Sequence, residues 1–486
     1  MFDVSSEDIT EGSLGRALAF LSAPIVAQQF ALVAQQIVDV FWLGRLSGDA
    51  VAAVGLIAPL IGLLVVPAQA VYVGSQVLVS QRVGTDDRAG ARRAAFHGLV
   101  GATSLMLVLA VVVDAVALDL TRLFDPGANV AALAATYLGA IAFAYVVGTA
   151  SDAVEAAFTG AGDSRTPLVA NLVAIGTNIL LDPVLIFGFT SNPLFAILGL
   201  GGLESSLLAA TGFAGMGIAG AAYATLVGYV FGALLMVGAA LSDRGGFSLD
   251  RASVGLDPEE FRTLVDVGAP RAGQSVGRQA ARLVMVAIIS FTGGAAALTA
   301  YTVGARVSTV AFVPAIGVGS ASTTIVGQNL GAARPDRATR ATWLGVAVGA
   351  VGIGVVGVGQ WLYPEFLAVL FVPDIGAEAL AYTVAYLQIL AYSYWALGTV
   401  WTVEAGFNGA GKTEVSMYST LLQYWGVRIP VAAVGAYLLG YGALGPFWAV
   451  TISNVVAAVG LCAYFRYSTA GGMLDRAASD AASAAD

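Results

Sequence analysis

Charge is what this sequence has least of. Of its 486 residues only 11% are Asp, Glu, Lys or Arg, against roughly 25% in an ordinary soluble domain. It cannot clothe a water-facing surface. Cysteine occurs once, at Cys462, and histidine once, at His97. A disulfide framework and a Cys-based metal site are thereby excluded, and so is a zinc site built from clustered histidines. Lysine is as scarce, since of 22 basic residues only Lys412 is one. The N-terminal stretch carries Asp3, Glu7, Asp8 and Glu11, the reverse of a signal peptide's basic start. With a formal net charge of −9, no nucleic-acid partner is expected.

What the chain does have is apolar length. Hydrophobic residues make up 58% and mean hydropathy is +0.82. A bilayer span needs about 20 such residues, and the pattern points to an all-α polytopic membrane protein. A β-barrel would instead alternate in runs of about ten. Breaking the chain at its polar and Gly/Pro clusters predicts twelve transmembrane helices, over 16–43, 51–80, 95–117, 131–159, 166–190, 212–241, 262–292, 296–327, 341–371, 378–408, 414–440 and 444–467. This divides the chain into an N-lobe over 1–241, a cytoplasmic linker over 242–261, a C-lobe over 262–467 and a disordered acidic tail over 468–486. With the N-terminus placed inside, the inner loops hold Arg16, Arg82, Arg88, Arg92, Arg93, Arg165, Arg244, Arg251, Arg262, Arg334, Arg337, Arg340, Lys412, Arg466 and Arg476, and the outer ones only Arg45 and Arg122. The positive-inside rule therefore puts both termini in the cytoplasm of a cell-membrane protein.

The two halves repeat. Val66-Pro67-Ala68, with Gln81 and Gly84 beyond it, matches Val313-Pro314-Ala315 with Gln328 and Gly331, at a constant offset of 247. Glu155-Ala156, Phe158 and Gly160-Ala161-Gly162 match Glu404-Ala405, Phe407 and Gly409-Ala410-Gly411, at an offset of 249. Six spans per unit keep both copies the same way up. The repeat thus predicts two six-helix lobes related by a pseudo-two-fold axis along the membrane normal, as in alternating-access carriers.

Charges inside spans are costly and mark candidate functional positions. Asp39 lies late in the first span, and the fifth carries Asn178-Ile179-Leu180-Leu181-Asp182-Pro183. A spacing of four sets Asn178 and Asp182 on one helix face, and Pro183 offers no N–H to the Ile179 carbonyl. Asp39, Asn178 and Asp182 thus form a hard-oxygen set suited to Na⁺ as the metal, or to a proton if the two carboxylates lie close together. No other cofactor and no catalytic residue is expected. In the second half the equivalent positions are Met285 or Val286 and Ile429 or Val431, so the ion site is expected in one lobe only.

Four segments resemble the multidrug and toxic compound extrusion (MATE) family: Val38 to Leu46 (VDVFWLGRL), Ala52 to Leu56 (AAVGL), Asn178 to Gly188 (NILLDPVLIFG) and Gly327 to Ala332 (GQNLGA). Their order in a duplicated twelve-span chain carries the resemblance, which extends over nearly the whole length. It implies a secondary active transporter rather than an enzyme, exchanging Na⁺ or H⁺ for amphipathic organic cations, with the N-lobe site of the DinF-like prokaryotic and archaeal branch. On that resemblance Pro24 matches a helix-bending proline, and Tyr137 and Thr225 match residues that hydrogen-bond around the ion. Two positions depart from the pattern. Glu155 departs from that branch's pattern in the fourth span, and Arg278 stands where other branches carry an acid. Gln35, Glu155 and Arg278 are candidate residues of the substrate cavity.

Arg271, Arg278 and Arg282 share one face of the seventh span, at spacings of seven and four. They suit an anionic substrate or lipid headgroup, which keeps open a flippase for lipid or lipid-linked saccharide. The bland alternative has Arg271 snorkelling to the interface and the deeper pair balanced by Glu404 or another acid. Glu155 and Glu404 recur in both halves, as shared hydrogen-bonding residues would. Gly406 to Thr413 fits a phosphate-loop pattern, but it ends a membrane helix instead of joining a strand to a helix, and Asp163 stands at the repeat position of Lys412. His97 is expected to be solvated near the inner end of the third span. Amphipathic drugs or toxins and the lipid bilayer are the expected partners of a monomeric chain.

Overall fold

The computed structural model describes residues 6–122, 127–242, 255–372 and 375–483, and all regular structure among them is helical. Asp3, Arg244, Arg251 and most of the linker expected over 242–261 lie outside the described residues. Where no water is at hand, a crossing segment must satisfy its backbone internally, and the helix does so without partners. The first half supplies α1 (Leu14–Leu46), α2 (Gly48–Gly84), α3 (Arg88–Arg122), α4 (Ala128–Ala161), α5 (Arg165–Phe187) and α6 (Ile218–Leu241). The second supplies α7 (258–293), α8 (296–331), α9 (Pro335–Leu362), α10 (377–409), α11 (413–438) and α12 (Leu444–Ala470). Eight of these are long and apolar enough to cross a bilayer singly, and α8 joins them as two pieces bent by 47°. Each of the other three has a local reason to fall short. α7 carries four arginines, α10 is interrupted at Tyr392 and Ser393, and α11 runs through π-helical turns at Leu422–Arg428 and Val434–Leu438.

The sequence repeat is a structural one. α2 and α8 are interrupted at Val65 and Phe312, just before Pro67 and Pro314 restart the helix. A proline ring cannot donate to the carbonyl one turn back and crowds it, so the constant offset of 247 places a hinge at the same level of each lobe. Gly294, at φ 59° and ψ −156°, turns the chain between α7 and α8. That backbone region suits only a residue without a side chain.

The lobes meet along α1 with α8 and along α2 with both α7 and α8. A Cβ at Gly84 would stand 2.3 Å from the Gln328 carbonyl oxygen, and one at Gly331 2.0 Å from that of Gln81. Glycine is what permits the two backbones to touch there. Around this crossing Gln76 Nε2 donates to Ser320 Oγ (3.0 Å) and Thr324 Oγ1 (3.1 Å), Gln81 Nε2 to the Gly409 carbonyl (3.1 Å), and Gln328 Nε2 to the Gly160 carbonyl (2.9 Å). Arg82 and Glu260 form an ion pair between α2 and α7. Among the described residues, no backbone–backbone hydrogen bond joins the lobes at the opposite end, where Ser47 and Gly294 turn the chain. The cleft is closed on the side of the N-terminus and of most arginines.

Two expectations need correction here. The tail is not disordered through Ser483: Met473–Ser483 forms a helix with Met473, Leu474, Ala477 and Ala478 buried. Those positions make one apolar stripe, which packs on the C-lobe core beside Ile9 from the short helix Ser6–Thr10. His97 is not solvated but fully buried. Its Nδ1 faces the Arg93 carbonyl at 2.7 Å, its Nε2 accepts from the Asp257 backbone N–H at 2.8 Å, and Phe261 packs edge-on at 4.7 Å. It fastens the start of α7 to α3. The phosphate-loop lookalike is packed shut, with a Cβ at Gly409 falling 2.7 Å from the Thr323 carbonyl oxygen and Thr413 Oγ1 donating to the Val267 carbonyl.

Candidate functional site

Inside the N-lobe, α1 lies against α5 and α5 against α6. A Cβ at Gly228 would meet the Ala174 carbonyl oxygen at 2.5 Å, so α6 can press against α5 and deliver Thr225 to Asn178. Asn178 Nδ2 donates to Thr225 Oγ1 (3.1 Å) and to Asp182 Oδ1 (3.4 Å), and Thr225 Oγ1 donates to the Ala221 carbonyl. Asp182 and Asn178 are buried, with relative exposures of 0% and 1%. The Asp39 and Asp182 carboxyl groups come within hydrogen-bonding reach of each other. Tyr137, also buried, lies within electrostatic reach of both.

Three oxygens of this group, Asp39 Oδ1, Asn178 Oδ1 and Asp182 Oδ2, are buried and have no hydrogen-bond partner. Buried polar atoms in native proteins are nearly always satisfied. Three acceptors facing no donor make a nest for a cation or a proton, and the residue types fit a hard ion. Five sequence-predicted residues (Asp39, Tyr137, Asn178, Asp182 and Thr225) are therefore brought together. Gln35 is buried one helical turn before Asp39 on α1.

Pro24 sits elsewhere. It lies inside a continuous α1, 15 residues before Asp39 and so about 22 Å away along the axis. One turn beyond it Gln28 Nε2 donates to Glu155 at 2.9 Å, and Glu155 also accepts from Asn171 Nδ2 at 2.7 Å. The C-lobe repeats this arrangement: Glu404 accepts from Gln274 Nε2 at 3.2 Å and from Thr420 Oγ1 at 3.4 Å. Gln28 and Gln274 are 246 apart, and Asn171 and Thr420 are 249 apart. The same offsets that revealed the duplication could have picked out these partners from sequence.

Two further features carry no signal in the sequence pattern. Tyr145 and Tyr229, with rings 6.2 Å apart, bridge from Asp39 towards the exposed Asp152. The long segment after α5 folds into two short helices, Pro193–Ile197 and Gly201–Thr211. It is tied down by the buried Asn192, whose Nδ2 donates to the carbonyls of Pro183 and Gly188 at 2.7 Å each. It anchors the stretch of α5 that carries Asp182.

In the C-lobe, Met285 occupies the Asp39 position and is fully buried. Arg428 is buried at the level of the Asn178–Asp182 pair, donating to Ser453 Oγ (2.8 Å) and Asn454 Oδ1 (2.7 Å) and stacking over Tyr424 at 3.9 Å. Balance of Arg278 and Arg282 by Glu404 is not what forms, since among the described residues neither arginine has an ion-pair partner. Arg271 does not snorkel free: it donates to Gln274, and its Nε is buried with no partner.

Two pseudo-symmetric six-helix lobes, a cleft closed at one end, and unpaired acidic oxygens in one lobe define a secondary membrane transporter, with no enzyme chemistry. The MatE family model matches residues 24–184 and again residues 271–434. A probable multidrug resistance protein NorM of Pseudomonas aeruginosa is 29% identical, over 96% of this chain and 92% of that protein. A probable multidrug resistance protein YoeA of Bacillus subtilis is 25% identical, over 94% of each. The solved outward-facing structure of a MATE multidrug resistance transporter superposes with a TM-score of 0.85 at 20% identity, covering 96% of this chain and 98% of that one. The chain belongs to the MATE family.

Proposed function

We propose that this transporter is a multidrug exporter that exchanges Na⁺ or H⁺ for amphipathic organic cations, with the coupling ion held in the N-lobe of the DinF-like kind. The observation that carries the reading is the set of three unpaired buried oxygens on Asp39, Asn178 and Asp182. Two carboxyl groups in contact cannot both stay charged unless a proton or a cation sits between them. With both termini cytoplasmic, the closed end faces the cytoplasm and the cleft opens outward, so external ions reach Asp39 first. Neutralising the pair removes the repulsion between the carboxylates that α1 and α5 bring together. α1 then bends where Pro24 leaves the Phe20 carbonyl without its helical donor, and the N-lobe pocket narrows and expels its cargo. Return to the inward-open state breaks the Arg82–Glu260 pair and the Gln76 and Gln328 bonds across the lobes, and the ion biases that equilibrium through its preference for one state.

Dye efflux from proteoliposomes under a pure Na⁺ gradient, then under a pure pH gradient, tests the reading and names the ion. Efflux driven by one gradient and lost in Asp39→Asn is expected. Full ion-driven efflux in Asp39→Asn would remove the N-lobe pair from the mechanism.

A further inference from the structure

The C-lobe carries charge of the opposite sign at the same depth, and the coupling mechanism uses none of it. Tyr424 on α11 stands within electrostatic reach of Arg428, Arg278 and Arg282, and Tyr301 on α8 within reach of Arg428 and Arg282. Five side chains from three helices thus converge on one region. It borders the space between the lobes: Arg282 Nη1 donates to Gln279 Oε1 at 3.2 Å, and Gln279 Nε2 lies 3.6 Å from the Cβ position of Gly62 on α2 of the other lobe. Arg282 is exposed and Arg278 half-buried. Arg428 is fixed through Nε and Nη2, and Tyr424 hydrogen-bonds to its guanidinium as well.

Among the described residues no ion pair forms to Arg278, Arg282 or Arg428. Glu404 is the carboxylate within reach of Arg271 and Arg278, and its oxygens already accept from Gln274 and Thr420. Guanidinium groups at membrane depth are expensive without a partner, and their planar forks suit the paired oxygens of phosphate, sulfonate or carboxylate. Tyr301, Tyr424 and the nearby Trp425, whose Nε1 donates to the Gly277 carbonyl, supply apolar faces beside those forks.

We propose that Arg278, Arg282 and Arg428 form a second ligand site in the C-lobe, one that takes the anionic group of an amphipathic organic anion. This site is independent of the Asp39–Asp182 coupling reading. The oxyanion can come from a soluble amphiphile or from the headgroup of an acidic lipid.

The test is equilibrium binding to the full chain in phosphatidylcholine nanodiscs, with no gradient, using two dyes built on the same xanthene body: sulforhodamine B, an anion, and rhodamine 6G, a cation. Fluorescence anisotropy should show sulforhodamine B binding to the wild type. The double variant Arg278→Gln/Arg282→Gln should bind it about tenfold or more weakly, two charge-assisted hydrogen bonds being lost. Rhodamine 6G should bind the double variant as it binds the wild type, which also shows that the variant is folded. Asp39→Asn should leave sulforhodamine B binding unchanged, so failure of the coupling reading would not mimic failure of this one. Adding phosphatidylglycerol separates the sources. Displacement of sulforhodamine B from the wild type assigns the site to lipid headgroups, and undiminished binding assigns it to soluble anions. Absence of sulforhodamine B binding to the wild type, or equal affinity in wild type and double variant, would overturn the proposal.

Discussion

The two lobes share a backbone plan and differ in what they bury. Each has a proline-interrupted second helix and a Gln–Glu pair that ties its first helix to its fourth. At the core level the N-lobe places Asp39, Asn178 and Asp182, with three oxygens unpaired, whereas the C-lobe places Met285 and a hydrogen-bonded Arg428. Duplication preserved what the helices need in order to pack and left the pocket contents free to diverge. The π-helical turns of α11 have no counterpart in α5. Such turns insert an extra residue and re-aim the side chains beyond it, so Arg428 enters the C-lobe core where the matching register of α5 brings its amide and carboxylate.

The contrast can be broken most forcefully at the acids. Asp182→Asn should depress ion-driven efflux by on the order of tenfold to a hundredfold, the usual range for a lost coupling, while Met285→Leu in the mirror position should leave it intact. Equal losses in both variants, read in the same vesicle assay, would mean that the lobes are not functionally distinct. Next in size, Met285→Asp buries a carboxylate in an apolar wall and should cost about 3 kcal/mol, seen as a lower Tm in detergent. The reciprocal Asp39→Met should not lower Tm, because it removes one of two mutually repelling groups.

The shared Gln–Glu pairs sharpen the comparison from the other side. Gln28→Ala and Gln274→Ala each leave a buried glutamate short of a donor and should each cost about 1–2 kcal/mol. Only Gln28→Ala should also slow transport, since Gln28 lies one turn from Pro24 on the helix that bends. The smallest effect is expected at the segment between α5 and α6. Asn192→Ala frees the Pro183 and Gly188 carbonyls, lowers stability by about 1 kcal/mol, and raises the cation concentration needed for half-maximal efflux. An unchanged ion dependence would reduce that segment to a structural brace.

Much of this was legible in the order of residues. Apolar runs set the passes, because lipid denies backbone groups any other partner, and the 247-residue offset of the Val-Pro-Ala motifs set the two-lobed plan. Asp39 and Asp182 stood out because charge is rare in such runs. Other features depended on distant segments meeting. His97 looked like a residue at a wet helix end, yet the start of α7 folds over it. The tail looked too small and acidic to hold a structure, yet the C-lobe offered its four-residue apolar stripe a surface.

Composition and periodicity alone therefore determined that this is a duplicated helical membrane protein with its paired aspartates in one half, since helix length and the scarcity of charge are properties of the chain itself. Only the tertiary structure decided that Asp39 meets Asp182 from another helix, that Pro24 neighbours the Gln28–Glu155 pair rather than the two aspartates, and that Arg278, Arg282 and Arg428 converge with no direct ion pair among the described residues. Those are distances between segments far apart in sequence. They are set by how glycine-lined helices press together, which no local pattern encodes.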